Sequence, residues 1–133
     1  MMVDKKLFDL KVLGDERGSL IALEGNQDIP FDIKRVFYIY GTQEGVPRGN
    51  HSHYKTKQFL IAVSGSCKVT LDNGKTKETF DLNSPNIGLF QDAYLWGVMH
   101  DFSHDCVLMV LADAHYDESD YIRDYDKFLE VIK

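Results

Sequence analysis

Short apolar and β-branched runs, separated by turn residues, occupy the first 112 positions of the chain. The clearest turn is Asn73-Gly74, because Asn-Gly between two such runs favours a β-hairpin. Strands are predicted at residues 7–13, 19–24, 35–40, 58–63, 67–71, 76–82, 88–90, 94–100 and 106–112. Short strands at this spacing are typical of an all-β sandwich or barrel.

The end of the chain changes period. From Tyr121 onward, apolar residues recur every three or four positions, at Tyr121, Ile122, Tyr125, Phe128, Leu129 and Ile132. This spacing predicts a short amphipathic C-terminal α-helix, capped by Ser119 or Asp120 and packed across a barrel end or a partner subunit. The chain contains no repeat or linker, so we expect a single domain over residues 1–133.

Composition excludes several classes of function. The net charge of −6 argues against binding to nucleic acid or to an anionic membrane surface. Residues 1–9 do not resemble a signal peptide, and no apolar run is long enough to span a membrane. Cys67 and Cys106 both lie in apolar runs, which predicts buried free thiols in a reducing compartment. We therefore expect a cytoplasmic protein.

The functional signal is concentrated in residues 45–53, which include His51 and His53. In an extended strand, residues two apart point to the same side, so both imidazoles are expected to enter one pocket. Arg48 lies three residues before the first histidine. Imidazole titrates near neutrality, and these histidines are therefore candidates for acid–base catalysis, although a hydrogen-bonded structural pair is the alternative.

The spacing of Gly45, His51, His53, Gln58 and Gly65 resembles the first motif of the cupin family, with glutamine in place of glutamate. This resemblance implies a small jelly-roll β-barrel. The position of the second-motif histidine is occupied by Met99, and His100 is one residue out of register. Because an amide and a thioether are poor ligands for the divalent ions of such sites, we expect no metal.

A more specific resemblance extends over nearly the whole chain. The matching segments are residues 17–20, 33–39, 47–53, 63–69, 71–74, Trp96, 101–103, 110–112 and 116–125. Together they resemble the nucleotide-sugar 3,4-ketoisomerases, also called the WxcM-like cupins. The resemblance implies an isomerase that moves the ketone of dTDP-4-keto-6-deoxyglucose from C4 to C3, without a metal or organic cofactor. It also implies a homodimer, and a product used to make 3-amino-3,6-dideoxy sugars of surface glycans such as O-antigen or S-layer glycan.

Within this family, the resemblance implies that His51 is the catalytic base and that His53 assists proton transfer or stabilises an oxyanion. The expected substrate-binding residues are Arg17, Arg35, Tyr38, Arg48, Gln58, Trp96 and His100. Three of them have structural alternatives: Arg35 as a buried ion-pair partner, and Tyr38 and Trp96 as core aromatic residues. Arg123 is expected to be structural, paired with Asp120 or Asp124.

Two positions depart from the family pattern near the expected sugar site. Gly97 follows the tryptophan where a polar or basic residue is usual, and Phe37 replaces a common tyrosine. These departures leave open the C4 configuration of the product. They also leave open three other functions: a binding module without activity, a 3,5-epimerase-like enzyme, and a metal-dependent cupin.

Overall fold

The computed structural model describes residues 5–133; the first four residues of the predicted domain lie outside this range. Twelve short strands and one helix make up the fold of the described residues. The strands are β1 (Leu7–Asp9), β2 (Leu13–Asp15), β3 (Gly18–Leu20), β4 (Arg35–Ile39), β5 (Arg48–His53), β6 (Gln58–Ser64), β7 (Cys67–Asp72), β8 (Lys77–Leu82), β9 (Ile87–Gln91), β10 (Trp96–His100), β11 (Val107–Ala112) and β12 (Tyr121–Ile122). A turn of 3-10 helix spans Glu118–Asp120, and α1 spans Tyr125–Val131.

The strands form two five-stranded antiparallel sheets and one separate hairpin. The first sheet has the order β1-β9-β6-β11-β4, the second has the order β12-β5-β10-β7-β8, and β2 pairs with β3 alone. The predicted Asn73-Gly74 hairpin is present: β7 and β8 pair from Cys67 with Leu82 to Asp72 with Lys77. Gly74 adopts a φ of +91°, a conformation that favours glycine over other residues.

Three apolar clusters hold the layers together. The central cluster fills the space between the two sheets and includes Leu60 and Val110 from one sheet and Val69 and Leu82 from the other. A second cluster covers the outer face of the first sheet with the segment around Ile29 and Phe31. The third packs α1 against the outer face of the second sheet, around Trp96 and Phe128. Strand β6 is buried on both faces, which explains its continuous apolar sequence.

The prediction of an all-β fold with a short C-terminal helix is confirmed, and its two sheets do not close into a continuous barrel. The two sheets share no paired strand among the described residues, so the fold is an open sandwich. Cys67 and Cys106 are buried free thiols, as expected. Over residues 5–133, no helix has both the length and the apolar character needed to cross a membrane.

The predicted start of the C-terminal helix is also wrong. Helix α1 begins at Tyr125, and Asp124 caps it by accepting a hydrogen bond from the Asp126 backbone N–H. Tyr121 and Ile122 instead form β12, pairing with His53 and Ser52 of β5. Two adjacent apolar residues satisfy either a helical or an extended pattern, and pairing with β5 decides between them. Asp120 does not cap the helix but is buried against the loop after β5.

Candidate active site

Strand β5 carries the histidines and contains a bulge. His51 pairs with Gly97 of β10, whereas the next paired residue on β5 is Gly49 opposite Val98, so Asn50 is the additional residue. Gly49 and Asn50 have φ values of +91° and +54°. A bulge inserts one residue and changes which side chains share a face of the strand. Consequently, Arg48 and His51 line the same cavity.

The two histidines and Tyr121 form a compact aromatic group. The His51 and His53 ring centroids are 5.0 Å apart, with the rings nearly perpendicular. The Tyr121 ring lies 5.0 Å from the ring of His51 and 4.5 Å from that of His53. Pairing of β12 with β5 produces this contact, because it places Tyr121 opposite His53. Tyr121 therefore forms part of the wall of the site. The helical spacing of the sequence does not predict this position.

A cavity of about 330 Å³ opens beside this group, between the two sheets. His51 lines it, whereas His53 does not and is only 3% exposed. The cavity is lined by Phe37, Tyr38, Ile39, Arg48, Gly49, His51, Gln58, Leu60, Met99, Val110, Tyr121 and Arg123. It thus combines an apolar floor with arginines, an amide and an imidazole, a composition that suits a polar organic ligand carrying negative charge.

Both histidines are held neutral. Burial lowers the pKa of His51, and the nearby Gly49 carbonyl only partly offsets this effect. Burial, reinforced by the neighbouring His51 ring, lowers the pKa of His53 to about 4, although Asp120 opposes the shift. Within residues 5–133, neither His51 Nδ1 nor His53 Nε2 has a hydrogen-bond partner. A neutral imidazole next to a cavity can accept a proton, so His51 is the better placed base.

Arg123 lies at the cavity and is fixed by two neighbours. Its Nε and Nη2 donate to Glu118 at 2.8 and 3.0 Å. Its guanidinium also lies over the Tyr121 ring, 4.3 Å from the ring centroid. The expected pairing with Asp120 or Asp124 is therefore wrong. Asp120 instead accepts from the backbone N–H groups of the loop after β5, and Asp124 caps α1.

Three of the predicted substrate-binding residues, Tyr38, Arg48 and Gln58, line the cavity together with His51. Tyr38 is not a core residue, because it is 64% exposed and lies beside Tyr40. Gln58 is buried at the position where the cupin motif has its glutamate. These residues come from both sheets, so the sandwich assembles a site that no single segment contains.

Arg35 lies next to the site but does not line the cavity. Its positive charge contributes to lowering the pKa of His53, so it lies near that ring. The guanidinium stands 5.3 Å from the ring of Phe37 and 5.7 Å from that of Tyr116. Along residues 5–133, it forms no salt bridge. The structure thus does not show the ion pair that was one alternative for this residue.

Two other predicted site residues, Trp96 and His100, lie outside the cavity. Met99 of β10 lines the cavity, so Trp96 and His100, at odd spacings from it, face the opposite side of that strand. Trp96 packs under α1, with ring centroids 5.2 Å from Tyr125. His100 Nε2 and Nδ1 are hydrogen-bonded to Thr70 at 2.7 Å and to Asp101 at 2.6 Å.

Arg17 is also separate from the cavity within this chain. It lies at the tip of the β2–β3 hairpin, where its side chain is 86% exposed and pairs with Asp15 at 2.6 Å. Among residues 5–133, β2 and β3 pair only with each other, so no strand pairing joins the hairpin to the sheet that carries His51. Arg17 does not line the His51 cavity.

Metal ligands are not assembled at this site. In the part of the chain that the structure describes, no three His, Cys, Asp or Glu residues are grouped in a way that could hold an ion. Gln58 and Met99 both line the cavity, at the positions where metal-binding cupins carry a glutamate and a histidine. The donor set is therefore unsuited to a divalent cation.

Comparison with known proteins agrees with the geometry. The family model described as FdtA, WxcM-like, C-terminal, matches residues 3–133. The chain belongs to this WxcM-like family. It is 49% identical over 130 residues to the TDP-4-oxo-6-deoxy-α-D-glucose-3,4-oxoisomerase of Aneurinibacillus thermoaerophilus, covering 98% of this chain and 94% of that protein. The family resemblance predicted from the sequence is confirmed.

Solved structures of similar proteins share the fold over almost their full length. A 3,4-ketoisomerase from Helicobacter canadensis has a TM-score of 0.94 and 46% identity, covering 98% of both chains. The 3,4-ketoisomerase QdtA from Thermoanaerobacterium thermosaccharolyticum, a histidine-to-asparagine mutant in complex with TDP-4-keto-6-deoxyglucose, has a TM-score of 0.94 and 42% identity. That match covers 99% of this chain and 96% of QdtA. The predicted activity, isomerisation of a keto sugar, is the activity for which these relatives are named.

Proposed function

We propose that this protein is a 3,4-ketoisomerase of a TDP-linked 4-keto-6-deoxyglucose. The observation that carries the proposal is a neutral His51 lining a cavity that also presents Arg48 and Arg123. A base and a set of cations are what an anionic keto sugar requires. The names of the relatives support the same reaction, since two of them are a TDP-4-oxo sugar isomerase and a 3,4-ketoisomerase bound to its keto sugar.

The chemistry needs proton transfers only. The C3 hydrogen is acidic because C3 is adjacent to the C4 ketone, and neutral His51 removes it to give an enediolate. Return of a proton to C4, with transfer of the hydroxyl proton from O3 to O4, leaves the ketone at C3. Bonds and electrons balance within the sugar, so no external oxidant or reductant takes part. The resulting 3-ketone is the kind of substrate that an aminotransferase converts to a 3-amino sugar for a surface glycan.

The two histidines have different positions and therefore different roles. His51 lines the cavity and is placed to touch the sugar. His53 is buried behind it, and its low pKa keeps the ring neutral. His53 thus acts through His51, by fixing the orientation of that ring and keeping a positive charge away from it. Gln58 supplies a hydrogen-bonding amide at the cavity wall.

Exposed apolar residues on the hairpin and on β4 support a homodimer. The β2–β3 hairpin exposes Leu13 and Leu20, and the outer face of β4 exposes Val36, Tyr38 and Tyr40. Within residues 5–133, strand β4 also forms one edge of its sheet, a feature that a second copy can cover. Arg17 lies on this exposed hairpin, so a second copy that covers the hairpin would contact it. Light scattering of the purified protein tests this, and a monomer at micromolar concentration contradicts it.

The reaction itself is tested by incubating the enzyme with TDP-4-keto-6-deoxyglucose in deuterated water. We expect a 3-keto product, identified by NMR, with solvent deuterium at C4. Exchange at C3 and C5 without movement of the ketone would instead indicate an epimerase. Binding of TDP without any turnover would indicate a module that has lost activity. The coupling constant at C4 of the product also establishes its configuration.

A further inference from the structure

Glu118 is an exposed carboxylate next to Arg123 that the proposed reaction leaves without a role. It lies on the 3-10 turn before β12, with a side chain 59% exposed. Three groups donate hydrogen bonds to it: Arg123 through Nε and Nη2, and the Tyr116 hydroxyl at 2.5 Å. These contacts hold the pKa of Glu118 down at about 2. These three hydrogen bonds fix the position of the Glu118 carboxylate, whereas an ordinary exposed carboxylate is free to rotate.

A chain of contacts connects Glu118 to His51 through Arg123 and Tyr121. The guanidinium is held on one edge by Glu118 and on one face by the Tyr121 ring, which itself contacts His51. Glu118 uses the Nε and Nη2 edge of the fork. Throughout residues 5–133, no protein atom accepts a hydrogen bond from Nη1 of Arg123. The Arg123 side chain also lines the cavity. A planar guanidinium fixed in this way presents its remaining N–H groups in one direction.

We propose that Glu118 is a positioning residue, which fixes Arg123 so that its free N–H groups bind phosphate oxygens of the substrate at the cavity. The phosphate chemistry rests on the proposed function. Two opposing effects of Glu118 make the proposal testable. Its negative charge repels a diphosphate, whereas its two hydrogen bonds reduce the conformational freedom that Arg123 loses on binding. The gain from restricting Arg123 is larger than the cost of the charge repulsion.

The test is calorimetric titration of TDP, which needs no turnover. Arg123→Ala is expected to weaken TDP binding about 10-fold or more, the effect of losing a charge-assisted contact. Glu118→Ala is expected to weaken it about 3- to 10-fold, even though a negative charge is removed. In the double variant the two losses are not additive, because both act on the same guanidinium. Tighter or unchanged TDP binding in Glu118→Ala, or additive losses, would overturn the proposal.

The chain offers a matched control and a rescue. Glu78 forms an exposed ion pair with Lys6 at 3.4 Å and is 60% exposed, so Glu78→Gln makes the same kind of charge change at a distant site. This control is expected to leave TDP affinity unchanged. Glu118→Gln keeps one acceptor oxygen and should recover part of the affinity lost in Glu118→Ala. If the glutamine variant binds TDP no better than the alanine variant, positioning is wrong.

Kinetics separate this proposal from failure of the proposed function. If the wild-type protein isomerises the keto sugar, Glu118→Ala should raise KM with kcat within about twofold, since uniform binding is lost. A fall in kcat with unchanged KM contradicts the positioning role. If the wild-type protein shows no turnover, the isomerase assignment fails, while the titrations with TDP still decide the role of Glu118. Thermal unfolding of each variant confirms that the exposed substitution has not disturbed the fold.

Discussion

Arg48 and His51 face one cavity although they are three residues apart, a spacing that would place them on opposite faces of a regular strand. The bulge at Asn50, with Gly49 at a φ of +91°, produces this arrangement. A Cβ at Gly49 would lie 3.0 Å from the Gly97 carbonyl oxygen, so the bulge also brings β5 and β10 close together. The base and its neighbouring cation thus depend on one irregularity in the sheet.

Replacing Gly49 by alanine should disturb both stability and substrate binding. The positive φ and the close Gly97 carbonyl together predict a loss of about 1–3 kcal/mol in the free energy of unfolding. As Arg48 is displaced, kcat/KM should fall about 10-fold, the effect of one charged contact. Gly41→Ala is the control, since Gly41 has a φ of +63° and no atom near its Cβ. Equal kcat/KM in the two variants contradicts the role of the bulge.

Replacing His51 by asparagine should remove the base and leave the binding of the nucleotide intact. We expect kcat to fall by roughly 10²- to 10⁴-fold, as is usual for a lost general base. The Kd for TDP should stay within about twofold, because the arginines of the cavity are unchanged. His104→Asn, at an exposed residue away from the cavity, is the control for the same chemical change. Activity retained in the His51 variant would assign the base to another group.

The buried neutral histidine makes stability depend on pH. The pKa of His53 is about 4 in the folded protein, against 6.5 for an ordinary histidine, so the unfolded chain binds the extra proton between these values. Stability is then complete above pH 6.5 and decreases as the pH falls toward 4. The contribution lost between pH 7 and pH 5 is on the order of 2 kcal/mol. Urea unfolding at the two pH values measures it, and His53→Asn should reduce the difference by this amount. An unchanged difference contradicts the assignment.

Asp120 is expected to stabilise the wall of the site. Its buried carboxylate accepts hydrogen bonds from the Lys55 and Thr56 backbone N–H groups and from the Thr56 hydroxyl. Asp120→Asn turns one acceptor into a donor that faces these N–H groups, which should cost about 2 kcal/mol of unfolding free energy. Asp117→Asn is the control, because asparagine caps a helical turn as well as aspartate does. Chemical denaturation compares the two, and equal stabilities would show that the contact is not important.

The donor set at the cavity predicts activity without a metal. Gln58 and Met99 line it in place of carboxylate and imidazole ligands, so prolonged dialysis against a chelator should leave kcat unchanged. Activity that disappears on dialysis and returns with iron, manganese or zinc would restore the metal-dependent alternative.

The sequence is most informative where local patterns have one physical solution. Asn73-Gly74 predicts a hairpin because the turn conformation demands glycine. The spacing of His51 and His53 predicts that their rings lie side by side, as they do, but both were expected in one pocket and only His51 lines the cavity. Trp96 could have been placed correctly by the same rule. It lies three positions from Met99, which occupies the position of the second-motif histidine, so the two side chains point to opposite faces of β10.

Other features depend on contacts that no local pattern contains. Tyr121 and Ile122 fit a helical stripe, and only pairing with β5 makes them a strand. The sequence predicts Asp120 or Asp124 as the partner of Arg123. Its side chain instead hydrogen-bonds to Glu118, because β12 between them is extended. An aromatic and a basic residue alternating across Ile122 are the one local signal that could have indicated a strand facing the site.

The two-residue strand β12 also has a consequence for how the protein is made. His51 and His53 leave the ribosome long before Tyr121 and Arg123, so the growing chain carries its base before it has the wall that encloses it. A domain generally folds as a unit, and the cavity is completed only by residues near the end of the chain. A chain that ends after β11 would therefore lack Tyr121 and Arg123, and with them part of the cavity wall.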